Sequence, residues 1–310
     1  MIRYILTRIA QTFIVLIGVT LLTFILLNVA PGDPVLIMLD KRADPVTMER
    51  VRHQLGLDRP LHVQYLDYVY NAMRGDLGKS YFQKTPVIDM VVQGWKVTIR
   101  LGALSLLLAL AIGLVVGITT AIFRGKWIDR FLMVIAMLGI SAPVFWIAVI
   151  FQIIFGLTLG WLPISGADRP GWLIMPVICL GISYGASSSR LVRTNMIETL
   201  GEDYIRTARA KGISETFVIC KHALKSTAIP IITLAGMQLR SLICGAMVVE
   251  AVFSIRGIGS VSFSAIQSRD IPIIQGCVLY TAVVYVIINL VIDLLYGVLD
   301  PRIRLNAGAK

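Results

Sequence analysis

The chain is short of charge, short of histidine and without paired cysteines, and each shortage removes a class of function. Only 15% of its 310 residues are charged, against 56% hydrophobic, and the mean hydropathy is +0.79. A composition this apolar lies outside the soluble range and inside the membrane range. The four cysteines, Cys179, Cys220, Cys244 and Cys277, fall in apolar runs or beside Lys221 and His222 without paired spacing, which excludes a disulfide or zinc framework. His53, His62 and His222 are scattered and do not make a metal site. No predicted span carries two titratable groups at helical spacing, which argues against a membrane-bound enzyme. No convincing internal repeat is present and acids within the spans are few, whereas a self-sufficient secondary transporter or channel needs both repeats and coupling-ion sites. A phosphate loop is absent too. The stretch "GDLGKS" offers Gly78, Lys79 and Ser80, but the motif needs a glycine five positions before Gly78, where Met73 stands.

What is present is oil in six instalments. Apolar segments at about 9 to 30, 101 to 122, 131 to 156, 172 to 189, 229 to 252 and 274 to 296 are each long enough to cross the bilayer as a helix. The first has the positive flank of a signal peptide, but its apolar run is too long for one and no small-residue cleavage site follows cleanly, so it reads as an uncleaved span. The expected fold is all-α and polytopic, with six transmembrane helices.

The net charge of +11 would suit nucleic acid, but in so apolar a chain basic residues orient the protein in the membrane, and no nucleic-acid partner is expected. One side collects Arg3, Arg8, Arg124, Lys126, Arg130, Arg190, Arg193, Arg206, Arg209, Lys211, Lys221, Lys225, Arg302, Arg304 and Lys310. The opposite short loops hold Arg169, Arg256 and Arg269. This asymmetry predicts that both termini face the cytoplasm. The organisation expected is an N-terminal cytoplasmic segment and first helix over 1–30, an extracytoplasmic loop with short helices over 31–100, and a five-helix core over 101–310 with a cytoplasmic loop at about 190–228. In the outer loop, Asp44 and Pro45 start one amphipathic helix, and Gly56 and Gly75 mark stops. That loop is either a cap over the helix ends or a docking surface for an external partner.

The loop 190–228 is the only sizeable cytoplasmic feature and is too small for a domain with its own core. Two helical pieces are predicted, from about Met196 to Ala210 and from about Glu215 to Leu224, separated by Gly212 and capped by Ser214. Ala208, Ala210 and Gly212 carry almost no side-chain bulk, so another protein could approach the backbone closely. Arg206, Arg209 and Lys211 could supply charge-assisted contacts. An ordinary solvated positive loop would look the same, and periodicity does not separate the two.

Further residues do. "RTARAKG", followed by "KHALKSTAIPIIT" with Pro230, resembles the cytoplasmic loop of binding-protein-dependent ABC transporter permeases. The superfamily often begins that loop with glutamate; here Arg206 or Thr207 stands there, in the form similar to the dipeptide, oligopeptide and nickel branch. "APGDP" (30–34), "QLGLDRPLHVQYLDYV" (54–69), "GDLGKSY" (75–81), "GWLPISG" (160–166), "VVEAVFSIRGIGS" (248–260), "RDIPIIQG" (269–276) and "DLLYGVLDPRIR" (293–304) extend the resemblance along nearly the whole chain. Arg256 departs from it, since proline is common before the glycine at Gly257.

The resemblance implies a type I importer permease in the bacterial inner membrane that carries di- or oligopeptides, or alternatively glutathione or a nickel or metallophore complex. It implies a homologous second permease, two cytoplasmic ATPases, an extracytoplasmic solute-binding protein and surrounding lipid as partners. Arg206, Thr207, Ala208, Arg209, Ala210, Lys211, Gly212, Ile213 and Ser214 would form the coupling helix region lying in a cleft of one ATPase. ATP and Mg would sit on the ATPases, and this chain would bind no cofactor and perform no covalent chemistry.

Three residues are candidates for the pathway. Arg240, near the middle of the fifth span, would meet a cargo carboxylate or an acid on the partner permease. Glu250 lies about 15 Å further along the same helix and belongs to the outer gate or a helix-end contact. Pro143, like Pro176, should kink its span, either as a hinge or for packing. Asp293 is expected to make a structural hydrogen bond at the inner end of the last span.

Overall fold

The computed structural model describes the backbone of residues 2–29, 33, 35, 36, 39, 44–167 and 169–299, and, within these, side chains from 11 to 243 and from 246 to 292. All of "APGDP" except Asp33, the side chains of Arg3, Arg8, Cys244 and Asp293, and the tail cations Arg302, Arg304 and Lys310 lie outside it. The regular structure among the described residues is helical, apart from one antiparallel bridge between Lys79 and Pro86. The helices are α1 (Ile2–Val29), α2 (Pro45–Gln54), α3 (Leu61–Met73), α4 (Val87–Ile122), α5 (Trp127–Ser141) and α6 (Val144–Phe151), which runs on as a π-helical turn (Gln152–Thr158). They continue with α7 (Ile174–Leu200), α8 (Asp203–Ala210), α9 (Glu215–Phe217) with a π-helical extension (Val218–Ala223), α10 (Leu224–Val252), α11 (Ile258–Ser268) and α12 (Ile271–Leu299). The chain divides into two compact units, 1–97 with 256–291 and 98–255 with 292–310.

In the first unit α3 lies on α1. The rings of Phe24 and Tyr65 meet edge-on with centroids 5.4 Å apart, and Thr20 Oγ1 lies 3.1 Å from the Tyr65 hydroxyl. Gly56 and Gly75 adopt φ of +67° and +82° just past α2 and α3, so the helices stop where glycine permits a left-handed residue. Asp44 occupies the N-cap of α2, although its side chain makes no capping bond. The "GDLGKS" stretch proves to be a latch: Ser80 Oγ donates to Asp270 Oδ2 at 2.5 Å and the Tyr81 N–H to Asp270 Oδ1 at 3.2 Å. Ser80 and Asp270 are both buried, and burial together with the Asp270 carboxylate pushes the Tyr81 phenol up to about 12. Residues 258–268, in the short loop left between the last two predicted spans, form α11; a Cβ on Gly94 would come within 3.1 Å of its first backbone nitrogen.

The second unit is organised around α7. Two small-residue stripes, Gly113 and Gly117 on α4 and Gly181 and Gly185 on α7, let the backbones approach closely. Gly113 faces Ser188, Gly117 faces Val192, Leu108 faces Gly181 and Ile112 faces Gly185, a constant register that makes the two helices parallel. On its other side α7 is tied to α10: Gln238 Nε2 donates to the Tyr184 carbonyl at 3.0 Å and lies 3.0 Å from Ser188 Oγ.

Several boundaries differ from expectation. Four described helices are long and apolar enough to cross a membrane, and α5 with α6 makes up to a fifth. The span predicted over 172–189 falls in α7, which is too polar to qualify, with Ser187, Ser188, Ser189, Arg190 and Arg193; surrounded by other helices, it does not need an oily surface. The kink predicted at Pro143 is a full break, with α5 and α6 bent by 100° across extended Ala142 and Pro143. Pro176 falls in the first turn of α7, where a missing N–H costs nothing, so it makes no kink. Pro230 lies inside α10.

Candidate functional site

The segment between α7 and α10 is a hairpin built by two glycines. α7 ends at Leu200, Gly201 and Glu202 turn the chain, and α8 begins at Asp203, so residues 196–200 belong to α7 and not to the separate piece predicted from Met196. The second turn needs Gly212, whose φ is +77°; nothing lies within 4 Å of a Cβ built there, so backbone conformation and not space demands glycine. Ser214 stands at the N-cap of α9 with extended backbone, but its hydroxyl makes no capping bond. α9 does not stop near Leu224 as predicted; it passes through its π-helical turn directly into α10.

Burial sorts the hairpin's residues into two faces. Ile205 is fully buried and Ala208 only 7% exposed, both packed in a cluster with Val192, Met196, Val218, Ile219, Ala223 and Ile231, against which Ile213 also rests. Ala208 is therefore withdrawn from the surface proposed for close approach. Arg206, Thr207, Ala210 and Lys211 remain exposed. Arg209 is committed within the hairpin itself, its Nε and Nη2 donating to Glu215 Oε2 and Oε1 at 3.0 and 2.6 Å across the Gly212 turn. Its Nη1 reaches the Leu200 carbonyl at 3.4 Å. Arg206 approaches Asp203 at 3.4 Å, an exposed pair of little energetic weight. Tyr204 and Phe217, each 44% exposed, join the outward face and were missed in the sequence. An aromatic side chain on the polar side of a short amphipathic helix was the signal available for Tyr204.

Behind the hairpin, Arg193 grips Asp129 with a two-pronged contact, Nε to Oδ1 and Nη2 to Oδ2, both 2.8 Å. The pathway candidates are not brought together. Arg240 is half-buried in α10, and its Nε is buried without a hydrogen-bond partner among the described residues. Glu250, near the C-terminal end of α10, is fully buried and accepts a 2.5 Å bond from Thr98 Oγ1. Pro143 sits exposed at the break between α5 and α6. Among the described residues no three His, Cys, Asp or Glu side chains cluster as metal ligands.

Residues 113–305 match the family of binding-protein-dependent transport system inner membrane components, and residues 1–102 match the N-terminal part of such components. The chain belongs to this family. The permease is 39% identical over 304 residues to a glutathione transport system permease protein of Escherichia coli O6:H1, covering 98% of this chain and 99% of that one. It is 38% identical over 308 residues to a putative peptide transport system permease protein of Brucella abortus, covering 97% and 98%. In fold it is similar to the methionine ABC transporter MetNI in an inward-facing conformation, with a TM-score of 0.58, 19% identity, and coverage of 68% of this chain and 96% of that one. The permease is thus a multi-pass membrane subunit of an ABC transporter and is not itself an enzyme. Its resemblance to the dipeptide and oligopeptide branch, read from its motifs, agrees with these relatives.

Proposed function

We propose that the permease forms half of the translocation pathway of an ATP-driven importer for short peptides, glutathione included. The likeness to glutathione and peptide permeases over nearly the full chain supports that cargo class. In this reading six helices span the bacterial inner membrane with both termini and the 201–223 hairpin in the cytoplasm, in keeping with the distribution of Lys and Arg. A homologous second permease completes the pathway, two ATPases carry ATP and Mg on the cytoplasmic side, and a solute-binding protein delivers cargo from outside.

The observation that carries the mechanism is the two-faced hairpin. Its outward face presents Tyr204, Arg206, Thr207, Ala210 and Lys211 for a cleft in an ATPase. Its inward face, Ile205 and Ala208, belongs to one buried cluster with Val218, Ile219 and Ala223 of the π-helical turn, Val192 and Met196 of α7, and Ile231 of α10. A push on the outer face therefore reaches both long helices through a close-packed core that transmits displacement as a solid does. Closure of the ATPases moves the hairpin, α7 and α10 tilt with it, and the pathway switches between outward and inward access. Arg240 and Glu250 line or gate that pathway, and the break at Pro143 allows α5 and α6 to change their angle.

The test is Ala210→Trp in the transporter assembled with its own second permease, ATPases and binding protein. The variant should insert and assemble normally yet lose stimulation of ATP hydrolysis by the loaded binding protein. Full stimulation would remove the coupling role from this face.

A further inference from the structure

We infer that the Asp129–Arg193 pair is a strut that carries the hairpin's displacement from α7 into α5 and the turn before it. The inference rests on the coupling reading above and adds two positioning residues to it.

Asp129 lies in the first turn of α5, only 4% exposed, and its carboxylate is fully engaged. Oδ1 accepts from Arg193 Nε, and Oδ2 accepts from Arg193 Nη2 at 2.8 Å and from the Gly125 N–H at 2.9 Å. Gly125 adopts φ of +79° in the turn joining α4 to α5. A single carboxylate thus holds that turn, the start of α5 and the α7 guanidinium in one fixed arrangement. Two parallel charge-assisted bonds fix direction as well as distance, which a single contact does not.

The other end of the strut is rooted in the hairpin's support. Arg193 follows Val192 and precedes Met196 by three residues, and both neighbours belong to the cluster that holds Ile205 and Ala208 of α8. α4 is already pressed on α7 through Gly117 and Val192. α5 packs extensively on α7, and the apolar contact of Gly139 with Ala186 lies more than two turns further along. The ion pair is therefore the polar link at the hairpin end of α5, where displacement enters. A pair that served only to neutralise a buried carboxylate would be replaceable by lysine; a strut would not, because lysine offers a point charge in place of a planar fork.

Hydrogen–deuterium exchange of the assembled transporter, with and without trapping by ATP and orthovanadate, separates these roles without any cargo. In the wild type, trapping should change exchange both in 190–210 and in 123–141. In Arg193→Lys, and in Asp129→Asn as a second variant, the change in 190–210 should persist while that in 123–141 falls by about twofold or more. Wild-type-like changes in both segments of both variants would overturn the strut, as would a wild type in which 123–141 never responds. Ala210→Trp run alongside should lose both changes. If it keeps both, the hairpin reading fails; if it loses both while Arg193→Lys and Asp129→Asn both respond like wild type, only the strut fails.

Discussion

Replacing Gly117 by alanine adds one methyl group at the closest approach of α4 to α7. The new Cβ would lie 2.6 Å from Val192 Cβ, 2.8 Å from Val192 Cγ1 and 2.8 Å from the Ser189 carbonyl oxygen. Carbon atoms rest at about 3.5–4.0 Å, so the helices must part by about 1 Å, and the carbonyl, being backbone, cannot rotate away. Overpacking of this kind costs about 1–3 kcal/mol. Alanine also favours a helix over glycine by about 1 kcal/mol, which would mask part of the loss. Gly102→Ala on the same helix removes that ambiguity, because nothing lies within 4 Å of its Cβ and it receives the same helical benefit. The difference between the two variants isolates the clash. At about 2–4 °C per kcal/mol it corresponds to a midpoint about 2–12 °C lower for Gly117→Ala. Thermal unfolding of the assembled transporter, followed by tryptophan fluorescence, reads this directly. Equal midpoints for the two variants would refute the close-packed stripe and with it the rigid α4–α7 contact.

Two further outcomes follow from buried polar groups. Arg240→Ala should impair peptide or glutathione uptake while leaving assembly intact, since its Nε is buried without a partner among the described residues; wild-type uptake would make Arg240 a bystander. Asp270→Ala strands the Ser80 hydroxyl at 1% exposure and removes the acceptor of the Tyr81 N–H. The loss is about 1–3 kcal/mol, and limited proteolysis should then cut within residues 76–86; an unchanged cleavage pattern would show that other contacts hold the loop.

Helical architecture was legible because a membrane demands long apolar segments, and stops were legible because Gly56, Gly75 and Gly212 each sit at positive φ. Directions within the hairpin were not. Ala208 and Ala210 are chemically alike, and only the buried cluster beneath α8 reveals that one faces in and the other out. Arg209 reads as a free cation until Glu215 is seen to fold back across the turn. The spacing of Gly113 with Gly117 and of Gly181 with Gly185 is visible in the chain, but which helices the stripes join is a tertiary fact. Asp129 and Arg193 are likewise separated by two predicted spans and the loop between them, so no local pattern pairs them. α11 was hidden in the loop between the last two predicted spans by its short length and its content of Ser, a weak helix former.

The fork that Arg209 throws across the Gly212 bend holds the elbow in outline before anything docks on it. A recognition element already in its bound outline loses little freedom on contact, so association depends on surface match instead of on folding. On the proposed coupling reading, a motor subunit would meet an elbow that needs no rebuilding before it is gripped.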